Sequence, residues 1–413
     1  MKQFKINKNY SLLKNWWETI DLTNYEKSFF NKEIISFNQQ LLRLKEKKIR
    51  ISAYGKSGVG KSSILNSLLK KDIFRTNIIN GTTREIQVEQ WTMKNQTFSN
   101  LELLDSPGFD FCNIKFPDKI YSSINHSDLI LFIVSGDLNR NELNQISSLI
   151  KDGKKIIVIL NKIDLFNKND LKEIMENIKF KLPKDLNIPI ILNHGNNLKN
   201  YLTKIINQHG EILLALNSLQ LADKLFLKIK EQRLKKRQKL AQSTIGKFST
   251  IKASAVALNP FILFDVAGSF ALDTALIGEL SKIYGLNLKG ESIRTIFKNI
   301  SINNLFLGVT QVGVNTSFNL IRKVILLMAP FTNGLSLLPY GPVAIIQAAI
   351  AVHSTKILGK LAAKEIFIRS RASLIEPSIM IQNLTLNEPN VLTHSNIYLS
   401  NRNLKTNFVS FLP

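Results

Sequence analysis

Between residue 49 and about residue 210, short apolar runs alternate with stretches whose apolar positions recur every three or four residues. The runs near 49–54, 85–92, 99–104, 128–134, 155–160 and 188–192 predict strands. The periodic stretches near 61–70, 139–151, 168–180 and from 197 onward predict helices. Such alternation gives an α/β domain with a mainly parallel sheet and helices on both faces. Ahead of it, Leu12, Leu13, Trp16, Trp17 and Ile20 share one helical face. A capping box at Thr23 and Glu26 then opens a second helix carrying Phe29, Phe30, Ile34, Phe37, Leu41 and Leu44. The adjacent tryptophans read as packing against a neighbouring domain, ahead of dipping into a membrane interface.

Past residue 211 the pattern changes. A helix carrying Leu214, Leu219, Leu221, Leu225 and Ile229 becomes strongly basic through Lys228, Lys230, Arg233, Lys235, Lys236, Arg237 and Lys239. Residues 253–264, 299–321 and 324–355 then carry no Asp, Glu, Lys or Arg. Lys356, Lys360, Lys364, Arg369 and Arg371 follow. Cations bracketing an apolar region suit anionic headgroups on one face of a bilayer, and membrane embedding is the expectation. Pro330, Gly334, Pro339, Gly341 and Pro342 interrupt the longest stretch, and Asp265 and Asp273 are awkward inside a true span. The other reading is an Ala- and Gly-rich helical bundle. From about 376 the chain is polar and aperiodic, and reads as a loosely ordered tail.

This divides the chain into a helical segment (1–48), an α/β domain (49–210), a basic helical linker (211–250), an apolar helical module (251–375) and a polar tail (376–413). With 413 residues there is room for two or three cores. The 55 basic against 31 acidic residues, a net charge of +24, point to a negative partner: nucleic acid or an anionic membrane. A single cysteine, Cys112, excludes an intrachain disulfide and suggests a reducing compartment. The five histidines lack zinc-ligand spacing. Abundant Lys, Asn and Ile suggest an AT-rich bacterial or organellar genome.

The chemistry concentrates after the first strand, in Gly55-Lys56-Ser57-Gly58-Val59-Gly60-Lys61-Ser62-Ser63. A strand, a glycine-rich turn and a new helix closed by Lys-Ser form a phosphate cradle. Glycines let successive N–H groups point at phosphate oxygens, and the helix adds its positive end. Lys61 would reach the β- and γ-phosphates, and the Ser62 hydroxyl would take one Mg2+ position. The next pieces stand at strand ends. Asp105-Ser106-Pro107-Gly108 offers a carboxylate for Mg2+ and an N–H for the γ-phosphate. In Asn161-Lys162-Ile163-Asp164 a carboxylate can accept from both the ring N–H and the amine of guanine, Asn161 braces the neighbouring loop and the Lys162 stem covers the base. Gly81-Thr82-Thr83-Arg84 supplies a threonine that can close on Mg2+. Together these describe a guanine-nucleotide domain.

These motifs resemble the translation-factor-class P-loop GTPases, within them the Era-like, tRNA-modification and dynamin-like group, over roughly 49–210. The resemblance implies Mg2+-dependent GTP binding and hydrolysis to GDP. By motif, Gly55 to Ser63 bind phosphate, with Lys61, Thr83 and Gly108 catalytic and Ser62, Thr83 and Asp105 on the metal. Thr82 is the second choice for the switch threonine. Asn161, Lys162 and Asp164 hold the base. Three departures stand out. Phe109 occupies the place where small GTPases use Gln to orient water, which implies slow turnover. Gly58 replaces the Asn of potassium-using relatives. Asn193-His194 stands where relatives have Ser-Ala, and a backbone N–H at His194 could still serve the base. The segment Leu258-Asn259-Pro260 to Ile283-Tyr284-Gly285 is similar to the module of YcjF-type and cyanobacterial membrane-associated GTPases.

The expectation is an α/β P-loop GTPase with N-terminal helices and an apolar helical C-terminal half. Loops 72–84 and 108–120 would relay nucleotide state to that half, and so to a membrane or a protein partner, including a second copy. The setting expected is a cytoplasmic or stromal membrane face, plastid or cyanobacterial. An RNA- or ribosome-associated assembly GTPase and a GTP-binding scaffold without turnover are the alternatives.

Overall fold

The computed structural model describes residues 6–75, 86–92, 98, 100–111, 117–258, 262–286, 288, 290–303, 340–370, 376–389, 392–405 and 413. Its sheet contains β1 (Ile49–Tyr54), β2 (Gln87–Thr92), β3 (Asn100–Asp105), β4 (Leu129–Val134), β5 (Ile156–Leu160) and β6 (Ile190–Leu192). All six expected strands are present. Their order is β2-β3-β1-β4-β5-β6, with β2 antiparallel to β3 and every other pair parallel. Because β1 has β3 on one side and β4 on the other, the loop leaving its carboxyl end opens at the switch point of the sheet, where ligands of such folds bind.

The central strands read as unbroken apolar runs because both faces are covered. In β4, Leu129, Leu131 and Ile133 join one core, while Ile130, Phe132 and Val134 join the other. The second core is closed by α5 (Pro117–Asn125), α6 (Arg140–Lys151) and α7 (Lys168–Lys181). Toward the first core lie α1 (Ile6–Thr19), α3 (Asn31–Lys45), α4 (Lys61–Leu69) and the early part of α8 (Asn197–Leu258). Each fully buried Leu, Ile or Phe contributes about 1.5–3 kcal/mol. Between α1 and α3, the short α2 (Asn24–Phe29) starts at the expected capping box. Thr23 Oγ1 accepts from Glu26 N, and Glu26 Oε2 accepts from Thr23 N. Trp16 packs edge-on against Phe37 of α3 and Phe226 of α8, which is the packing reading of the tryptophan pair.

Two expectations fail here. The loop placed at 108–120 gives way at Pro117 to helix α5. Proline suits a first helical position, where its missing N–H has no intrahelical partner to lose. The stretch from 376, read as a loose tail, contains α12 (Pro377–Asn387) and α13 (Thr393–Lys405). Their anchor is Asp223 on α8, which accepts from Tyr398 at 2.9 Å and from Arg402 at 2.8 Å, while Arg402 also donates to Glu376.

The chain forms two compact units, Met1–Ile229 with Ile375–Thr406, and Lys230–Leu374 with Asn407–Pro413. The stretch expected as a basic linker is part of the continuous α8, which runs from one unit into the other. Within the second unit are the rest of α8, α9 (Ile262–Ile283), α10 (Gly290–Asn303) and α11 (Tyr340–Ser370). Asp273 forms a buried ion pair there with Lys252, Nζ to Oδ2 2.8 Å. Gly359 lets α11 approach α8 closely, since a Cβ would stand 2.7 Å from Ile245 Cγ1. Among the described residues no helix is long and apolar enough to cross a membrane. Residues 304–339, which hold most of the uncharged sequence behind the membrane expectation, lie outside them.

Candidate nucleotide site

The glycine-rich loop joins β1 to α4, and its conformation explains its glycines. Gly58 and Gly60 have φ of 76° and 92°, left-handed values that other residues rarely adopt. At Gly55 a Cβ would stand 2.3 Å from the Ile133 carbonyl oxygen of β4. At Gly60 it would stand 2.2 Å from Asn161 Nδ2. Lys61, the first residue of α4, is buried, and its ammonium donates to two carbonyls of its own loop, Lys56 O at 2.6 Å and Gly55 O at 3.2 Å. Burial pulls its pKa down, while Asp105 and Asp110 act in the opposite direction.

At the end of β3, Asp105 Oδ2 accepts from Ser62 Oγ at 2.5 Å. Serine and carboxylate oxygens side by side are a donor set for a hard cation such as Mg2+. Ser106 ties the following turn back to β1 by donating to Ala53 O at 2.7 Å. Gly108 meets the phosphate loop so closely that a Cβ would lie 2.3 Å from both Ser57 N and Ser57 Oγ. Phe109 turns toward the core, with its ring 5.5 Å from that of Tyr54 and 6.2 Å from that of Phe132. Thr82 and Thr83 lie outside the described residues.

The base motif is joined to the phosphate loop through one amide group. Asn161 Nδ2 donates to Val59 O at 2.8 Å, and Asn193 Nδ2 donates to Asn161 Oδ1 at 2.8 Å. Lys162 adopts a left-handed turn with φ of 55°, after which Asp164 lies in a short 3-10 turn with an exposed side chain. The His194 N–H, expected to face the base, donates instead to Leu192 O at 3.0 Å, and its side chain is exposed.

Sequence reasoning mis-assigned one participant and missed another. Asn193, named in the suspected base element, orients the Asn161 amide by donating to it, while the contact expected from that element is the His194 N–H. Asp110 is the other. Its Oδ1 accepts from Ser57 N at 2.7 Å, so a carboxylate sits on a phosphate-loop amide. An acid two residues after Gly108 was visible, but nothing local showed where it would turn.

Two parts of the chain match known families. Residues 50–162 match a family described as "50S ribosome-binding GTPase", and residues 220–376 match a domain of unknown function, DUF697. GTPase Der of Buchnera aphidicola is 32% identical over 162 residues, 37% of this chain and 35% of Der. The tRNA modification GTPase MnmE of Mycoplasma mycoides is 32% identical over 187 residues, 43% of this chain and 40% of MnmE. A solved structure of Era from Aquifex aeolicus is 24% identical, with a TM-score of 0.34, over 38% of this chain and 56% of that one. The chain thus spans well under half the length of the curated relatives it matches. The loop and the family match agree: residues 50–162 form a P-loop GTPase domain, similar in sequence to parts of Der and MnmE.

Proposed function

We propose that this chain binds GTP with Mg2+, hydrolyses it slowly to GDP, and uses the difference between the two states to control contact with a polyanionic partner. The observation that carries this reading is the Asn161 bridge, which ties the base-reading turn to the phosphate loop. The loop amides and Lys61 would hold the phosphates, and Asp164 would accept from the guanine edge. Ser62 and Asp105 would hold the cation, with Thr83 as a further ligand; when bound, it would neutralise charge on the phosphate oxygens. Phe109, packed on Tyr54 and Phe132, offers nothing to an attacking water. Water would be placed by the backbone, by Thr83 or by a partner, so turnover is slow.

Single-turnover hydrolysis tests the enzyme. Lys61→Ala should lower the rate about 100-fold, the loss typical of one removed charge-stabilising donor. Equal affinity for guanine and adenine nucleotides overturns the reading. Binding with no turnover would leave the scaffold alternative.

For the partner, the net charge of +24 and the description of the family matched by residues 50–162 favour ribosomal RNA. A second reading, an anionic membrane on its cytoplasmic or stromal side, is supported by the uncharged stretches between two basic clusters. Salt-sensitive co-sedimentation with ribosomal subunits supports the first. Vesicle flotation that differs between GDP and a non-hydrolysable GTP analogue supports the second.

A further inference from the structure

At the end of the sheet opposite the phosphate loop, a cavity of about 320 Å3 lies between the approach to β5 and β6, one face of α8 and the start of α13. That volume suits a small ligand. Among the described residues its polar lining is Lys155, Asn187, Tyr201, Lys204, Gln208, His209 and Thr393, with no carboxylate. Lys155 immediately precedes β5 and is half-buried, and burial holds its pKa down. Among the described residues its ammonium has neither an ion pair nor a hydrogen bond. Leaving a cation partly desolvated and unneutralised is costly, and an anion would offset that cost. Among the described residues Glu388 is the one acid that acts on His209.

Three further observations agree. Thr393 begins α13, and the first N–H groups of a helix have no intrahelical acceptor, so a positive helix end borders the cavity. His394, the next residue, is 4% exposed, and among the described residues neither ring nitrogen has a hydrogen-bond partner. It faces a small neighbouring void, about 10 Å3, that shares Lys155 and Leu186 with the larger cavity. The remaining wall is apolar, from Leu186, Pro189, Ile205 and Leu213.

We propose that this cavity binds a small organic phosphate monoester, with its dianionic head between Lys155 and Lys204 and its apolar body against Ile205 and Leu213. Two ammonium groups match two charges. The hydroxyls of Tyr201 and Thr393 and the Gln208 amide supply donors for the three peripheral oxygens, more than a carboxylate can use. The site is independent of the guanine-nucleotide reading, because no residue of the phosphate loop lines it.

The test is calorimetric titration of the full chain, loaded with Mg2+ and GDP, with phenyl phosphate, benzoate and phenol. The same titrations on Lys61→Ala without nucleotide separate a failure at this cavity from a failure of the guanine site. Phenyl phosphate should bind at least about tenfold more tightly than benzoate, and phenol not at all. Lys155→Met should weaken binding about tenfold, and Lys204→Ala, at an exposed position that tolerates truncation, should weaken it several-fold. No binding at millimolar phenyl phosphate, equal binding of phenol or benzoate, or binding unchanged in Lys204→Ala would overturn the assignment.

Discussion

The two ends of the central sheet handle polar groups in opposite ways. At the carboxyl ends of the strands, the phosphate loop presents backbone amides, and Asp110 is taken up on one of them from an exposed position. Around the amino ends of β1 and β4, the buried polar groups are bonded mostly to one another. The Arg43 guanidinium lies against Asp128 and donates to Gln40 Oε1 and His126 O, both at 2.9 Å. Asp128 also accepts from Arg50 N at 2.8 Å and Asn217 Nδ2 at 2.7 Å, and Asn217 Oδ1 accepts from Lys154 at 2.6 Å. The phosphate-loop end is therefore available to a ligand. Around β1 and β4, the opposite end fastens α3 and α8 to the sheet.

Removing Asp128 should separate the two most sharply. Asp128→Ala strands Arg43, whose pKa burial already lowers, and should cost about 3–5 kcal/mol in denaturant unfolding of this unit. Guanine-nucleotide affinity of the folded fraction should stay within about twofold; a matching loss of affinity would show that the two ends are coupled.

Acid should act on the same end. Burial, with Lys154, Arg50, Arg43 and Lys224 nearby, pushes His126 down to about 4, and burial with Lys155 and Lys154 pushes His394 to about 3. Both rings are neutral when folded, whereas unfolded histidines take up protons near pH 6.5. Stability is therefore fully present above pH 6.5, falls as the pH drops toward 4, and loses on the order of a few kcal/mol. Melting curves between pH 7.5 and 4.5 should show the fall, and His394→Leu should make it shallower.

Smaller effects belong to the ligand end. Asn193→Ala frees the Asn161 amide and should weaken GTP binding about fivefold to tenfold, the worth of one hydrogen bond, while the melting temperature changes little. Asp110→Asn removes a charge that competes for the Ser57 N–H and should tighten binding two- to threefold in equilibrium titration.

What could be read from the chain follows the same division. The phosphate loop is nine consecutive residues, and its flanking strand and helix announce themselves by period, so the loop and all six strands were legible. The amino-end network was not, because its members meet only after folding: Arg43 and Asp128 lie 85 positions apart, and Asn217 and Asp128 lie 89 apart. The last forty residues misled for a related reason. Read as polar and aperiodic, that stretch contains α12 and α13, which fold against a partner, Asp223, that lies 175 positions before Tyr398. Asp110 was adjacent to a recognised motif, yet its contact with Ser57 depends on how the turn after β3 is wound back onto the loop.

The shared Asn161 amide has a consequence for substrate choice. One side-chain group links the turn proposed to read the purine to the loop proposed to hold the triphosphate, so neither can shift alone. An ill-fitting ring would tilt that link and spoil the grip on the phosphates. Under the proposed function, misreading the base would thereby be penalised twice, once at the ring edge and again where the bond is to be cut.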